Sequence, residues 1–122
     1  QGVQATTQDS LKQLPLFYAV REGNLPLIEL FVGKGADPNH VDTYGQTPVF
    51  YCIREGNIAA TKRMVALGAN PDIVDNNGQT PLFYAIRHSK FEMCEFLIQQ
   101  GVNLRVTDKK GISPTHWAKR YS

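Results

Sequence analysis

Four prolines, Pro15, Pro48, Pro81 and Pro114, stand 33 residues apart. Other residues keep the same step: Asp9, Asp42, Asp75 and Asp108; Gly45, Gly78 and Gly111; Gly35, Gly68 and Gly101. The hexapeptide Gln46–Tyr51 returns as Gln79–Tyr84 with one change, Leu82 for Val49. A fixed period of this length makes the chain an array of like units. None of them can bury its apolar face alone, so the core exists only between stacked neighbours.

One unit reads as follows. Asp42-Thr43-Tyr44-Gly45 is a turn, because Asp bonds its own backbone and Gly tolerates positive φ. Thr47 is placed as a helix N-cap, with Pro48 at the first helical position, where its missing N–H costs nothing. A short helix follows to about Glu55, Gly56-Asn57 breaks it, and a second runs from about Ile58 to Leu67. Gly68 then serves as a left-handed cap. The same reading predicts helices near 15–22, 25–34, 81–88, 91–100 and 114–121. The first helix of each unit is apolar on nearly every side: Leu16-Phe17-Tyr18-Ala19-Val20, Val49-Phe50-Tyr51-Cys52-Ile53 and Leu82-Phe83-Tyr84-Ala85-Ile86. Such a helix is buried on several sides.

Composition narrows the function classes. The 122 residues, 42% hydrophobic and 20% charged, suit one folded domain. The apolar runs of about five residues are far too short to span a bilayer. Gln1-Gly2 reads as the remnant of a cleaved expression tag, and residues 1–8 as a disordered or tag-derived segment. Two cysteines, Cys52 and Cys94, argue against a disulfide scaffold and against a four-ligand zinc site; a reducing intracellular compartment, cytoplasm or nucleus, is expected. No His-x-x-x-His, Cys-x-x-Cys or phosphate-loop pattern occurs, so no enzyme, metal or cofactor is expected. The net charge of +2 is too small to imply nucleic acid.

The 33-residue period, with Gly45–Cys52, Gly78–Ala85 and Gly111–Ala118 beside Gly35-Ala36-Asp37 and Gly68-Ala69-Asn70, resembles the ankyrin repeat. The resemblance covers residues 9–122, as repeats 9–41, 42–74, 75–107 and a partial 108–122. It implies an all-α solenoid of stacked antiparallel helix pairs with β-turn fingers. It also implies a monomeric, non-catalytic scaffold or adaptor that binds a protein or peptide on a concave face made of turn tips and first helices. Phe17, Phe50 and Phe83 stand where the family has His, which only His116 keeps. Lys12 and Leu14 replace the turn Gly and the capping Thr, as in an atypical terminal repeat.

Candidate contact residues follow from this register. The turn tips carry Tyr44, Asn77 and Lys110, with Tyr44 as an aromatic anchor. Arg21, Arg54, Arg87 and Arg120 recur at 33-residue steps, followed by Glu22, Glu55, His88 and Tyr121. Stacked, the arginines form a ladder suited to carboxylate or phosphate, or else a solvated helix face. Arg87 and Arg120, with no adjacent Glu, are favoured over Arg21 and Arg54. The series Tyr18, Tyr51, Tyr84 and Trp117 reads as core stacking. Two alternatives stand beside the acidic or phosphorylated partner. One is an accessory domain of a larger enzyme that presents substrate or reads a modified tail, including a methyl-lysine cage of Trp117, Tyr84 and Glu55. The other is weak nucleic-acid contact through the last 18 residues, whose Arg105, Lys109, Lys110, Lys119 and Arg120 stand against Asp108.

Overall fold

A computed structural model describes residues 5–116. Six helices follow one another: α1 (Pro15–Glu22), α2 (Leu25–Gly33), α3 (Pro48–Glu55), α4 (Ile58–Ala66), α5 (Pro81–Arg87) and α6 (Phe91–Gln99). A further helical stretch opens at Pro114 and reaches the edge of the described residues at His116; the rest of the helix expected over 114–121 lies outside them. Each pair packs on itself, and α1, α3 and α5 pack in a row, with α2 beside α4. The fold is the expected all-α stack of paired short helices.

Local chemistry sets the helix ends. Proline occupies the first position of α1, α3 and α5, and Gly23 and Gly56 close α1 and α3 in the left-handed conformation. The side chains of Asn24 and Asn57 then accept from the Leu27 and Ala60 N–H groups to start α2 and α4. In the third unit Ser89, at φ 55, takes the place of that glycine, and α5 ends at Arg87.

The apolar runs of the first helices form the core as expected. Leu16, Phe17, Val20, Val49, Phe50, Ile53, Leu82 and Phe83 are all buried, and Met64 and Leu97 close the core from the second helices. Ala5 is buried in the same cluster, so the packed body begins before residue 9. Cys52 fills the small position held by Ala19 and Ala85 and is fully buried.

The turn fingers are joined edge to edge. The Thr43 N–H donates to Leu11 O at 2.9 Å, Asn76 N–H to Tyr44 O at 3.1 Å and Lys109 N–H to Asn77 O at 3.1 Å. Gly45 and Gly78 sit at these crossings with φ +76 and +75; a Cβ at Gly45 would lie 2.9 Å from the Asn76 backbone nitrogen. At Gly78 it would lie 3.2 Å from the Lys109 nitrogen. The glycines serve both the positive φ and the close approach of the next finger.

The capping threonines depart from expectation. Thr47 and Thr80 hold the N-cap positions, yet neither hydroxyl bonds the helix backbone. Both hydroxyls are buried and have no partner among the described residues. Leu14 holds the same place in the first unit at no cost in capping. Replacing a buried unsatisfied hydroxyl by a methyl removes its desolvation penalty. Thr47→Val and Thr80→Val are each expected to raise stability by about 1 kcal/mol, read as a higher denaturant midpoint. Gly78→Val is expected to lower stability by about 2–3 kcal/mol, read in the same titration; an unchanged midpoint would contradict the finger geometry.

Candidate binding surface

Each finger is built on an aspartate. Asp42 Oδ1 accepts the N–H groups of Tyr44 and Gln46 at 2.9 and 3.0 Å. Asp75 does the same for Asn77 and Gln79, and Asp108 for Lys110 and Ile112. The second oxygen faces inward. Asp42 Oδ2 accepts from the Tyr51 hydroxyl of its own repeat and from Gln13 Nε2 of the preceding repeat. Asp75 Oδ2 accepts from Tyr84 and Gln46 at 2.6 and 2.9 Å, and Asp108 Oδ2 from Gln79 at 3.0 Å. Glutamines 13, 46 and 79 thus tie each repeat to the next.

The tyrosines and arginines alternate over this network. The Arg21 guanidinium lies 5.3 Å from the Tyr18 ring centre and 4.6 Å from that of Tyr51. Arg54 lies between Tyr51 and Tyr84 at 5.2 and 5.0 Å, and Arg87 lies 5.0 Å from Tyr84. Tyr51 and Tyr84 also set their edges against Phe17 and Phe50 of the preceding repeat. The tyrosine series is therefore more than the core stacking expected: its hydroxyls bond carboxylates and its faces carry guanidinium groups. A methyl-lysine cage that uses Tyr84 meets a ring already covered by Arg54 and Arg87; Trp117 lies outside the described residues.

The arginine ladder exists, with unequal rungs. Arg21 and Arg87 each donate Nη2 to the glutamine of their own repeat, Gln13 and Gln79, at 2.8 and 2.9 Å. At the middle rung Gln46 Oε1 is buried without a partner among the described residues, and Arg54 is exposed. Arg54, ranked behind Arg87 from the sequence, is thus the rung open to solvent among the described residues.

Two clefts run between the fingers and the first helices. One, of about 260 Å³, is lined by Tyr44, Gln46, Arg54, Asn76, Asn77 and Tyr84. The next, of about 190 Å³, is lined by Asn77, Gln79, Arg87, Asp108, Lys109 and Lys110. They are the same place one repeat apart and share Asn77. Of the candidate residues, Tyr44, Arg54 and Asn77 meet in the first, and Asn77, Arg87 and Lys110 in the second. Tyr44 is 52% exposed. Arg21 lies one repeat earlier, and His88 is exposed at the end of α5, outside both clefts. Arg120 and Tyr121 lie outside the described residues. His116 is exposed and donates its backbone N–H to Ser113 Oγ.

The period, the paired helices and the finger-to-finger bonds form one pattern, which the sequence profile described as "Ankyrin repeats (3 copies)" matches over residues 16–108 and again over 55–122. The chain belongs to the ankyrin-repeat family. Ankyrin repeats are in general protein–protein interaction modules, and no enzyme family is found in the chain. A search of curated proteins gave no match. Among the described residues no helix is long and apolar enough to cross a membrane. None of the described His, Cys, Asp and Glu side chains gather in a group that could hold a metal ion.

Titration of this ankyrin array follows from its network. Burial first, and the bond to an aspartate second, raise Tyr51 and Tyr84 above the usual phenol value. Burial pushes the Cys52 thiol up to about 12 and also raises Cys94, so neither is a nucleophile near neutrality. Because the folded tyrosines hold their protons longer than unfolded ones, their contribution is complete below about pH 10 and falls as pH rises beyond it. Denaturant titrations should therefore show stability declining above about pH 10. Tyr51→Phe should lower stability at pH 7 by about 1.5–3 kcal/mol and make the alkaline decline shallower; an equal decline in both proteins would contradict the assignment.

Proposed function

We propose that the protein is a recognition module of the scaffold or adaptor kind, which holds an acidic or phosphorylated partner segment along the two clefts. One observation carries this reading: the clefts repeat at the 33-residue step and share Asn77. They bring Arg54, Arg87, Lys109 and Lys110 to one continuous strip beside the exposed ring of Tyr44. An extended segment spans such a strip with its acidic groups spaced to the repeats. The Arg fork pairs with a carboxylate or phosphate in two directions, and Lys109 and Lys110 add charge at the finger. Tyr44 supplies area for an apolar residue of the partner. Asp108 does not oppose this, because its carboxylate is buried and turned to the backbone and to Gln79.

Arg54 also stacks on two tyrosines, so its replacement tests structure and binding together. Lys109 and Lys110 are exposed and contribute to the fold through their backbones, so their side chains test binding alone. Selection from a displayed peptide library should enrich acidic or phosphorylated sequences. Lys109→Glu with Lys110→Glu should weaken the enriched peptides by about tenfold, about 1.4 kcal/mol, with the melting temperature unchanged. Enrichment of the same peptides by both proteins would overturn the proposal. So would binding that goes to nucleic acid and collapses with salt.

A further inference from the structure

The finger tips share one backbone and differ in chemistry. Leu11, Tyr44, Asn77 and Lys110 occupy the same position: the N–H of each donates to Oδ1 of the aspartate that builds its finger, at 2.8–2.9 Å. The carbonyls of Leu11, Tyr44 and Asn77 accept from the next finger. The four tips therefore stand in a row, in chain order, held by backbone atoms. What varies along the row is the side chain.

That variation has a direction. Leu11 is 37% exposed and Tyr44 52% exposed, so the first two tips offer large apolar groups to solvent. Asn77 is a neutral amide in the middle, shared by both clefts. Lys110 comes last with Lys109 beside it, and both are exposed. The first finger does hold a cation, Lys12, at the turn-glycine position, but Asp9 offsets it. The second and third fingers hold an aspartate and no cation; only the fourth carries more cations than its aspartate offsets. Behind the tips an arginine recurs in every repeat, so the arginines do not tell one end of the row from the other. The tips do.

The stacking sets the spacing. Helices packed side by side lie about 8–10 Å apart, and two passes of edge-joined chain occupy about the same width, so each repeat advances the row by about 10 Å. An extended segment advances about 3.3 Å per residue. It therefore passes one finger in about three residues and runs from Tyr44 to Lys110 in about six. A segment acidic throughout would set its carboxylates beside Leu11 and Tyr44 and bury no apolar area there.

We infer that the row of finger tips reads a two-part peptide segment. A large apolar residue of the partner sits on Leu11 and Tyr44, and a carboxylate cluster or a phosphate sits on Lys109 and Lys110, about six residues away in an extended chain. The inference rests on the binding surface proposed above and adds the order and spacing of the partner's groups.

The test uses labelled Gly-Ser peptides in two sets, one carrying a cluster of glutamates and the other a phosphoserine. Within each set the peptide has no leucine, a leucine adjacent to the acidic group, or a leucine about six residues from it, on either side. In one chain direction the spaced leucine should tighten binding by about tenfold over the leucine-free peptide, and the adjacent leucine should add little. Tyr44→Ser should hold the spaced peptide no more tightly than the parent chain holds the leucine-free one. Equal affinity for the spaced, adjacent and leucine-free peptides would overturn the inference alone, as would a gain that Tyr44→Ser keeps. Failure of every acidic peptide to bind would overturn the proposed function and this inference together.

Discussion

A buried carboxylate that must be fully hydrogen-bonded is the constraint on which this structure turns. Asp42, Asp75 and Asp108 are each removed from water at the base of a finger. A buried charge without partners costs several kcal/mol. Each is satisfied by two backbone N–H groups that shape the finger and by the glutamine of the repeat before, and Asp42 and Asp75 also by a tyrosine of their own repeat. The finger, the first helix and the stacking of neighbours thus share one atom group. A change in any of the three disturbs the others.

The surface follows from that interior. Because the tyrosine hydroxyls point to the aspartates, the ring faces turn towards the arginines, and the arginines line up along one side of the stack. Two of them are tied back by glutamine; Arg54 is not. The line of arginines is therefore a consequence of the inter-repeat network. At the finger tips Tyr44, Asn77, Lys109 and Lys110 vary while the aspartates beneath them do not.

Much of this was legible in the sequence. The prolines and glycines stand in step because each has a backbone reason: a helix start, a left-handed cap, a close approach between fingers. The apolar runs read as buried helices because those signals bracket them. The candidate contact residues were legible as far as register, and Tyr44, Arg54, Asn77, Arg87 and Lys110 do gather in clefts. What the sequence hid was polar. Gln13, Gln46 and Gln79 recur at the same step, yet glutamine has no strong prior meaning, and its role appears only when the repeats are stacked. Thr before Pro is a common cap and Thr47 and Thr80 read as caps, whereas here the hydroxyls are buried and make no bond to the helix N–H groups.

The coupling between repeats is most directly measured by a double-mutant cycle on Gln46 and Tyr84, which meet at Asp75 from different repeats. Gln46→Ala, Tyr84→Phe and the double variant would be compared with the parent chain by denaturant titration at pH 7. A shared, fully bonded carboxylate predicts a coupling of about 1 kcal/mol or more between the two changes. Losses that add to within about 0.3 kcal/mol would contradict it, and would mean that the repeats are held by their apolar surfaces and finger-to-finger backbone bonds.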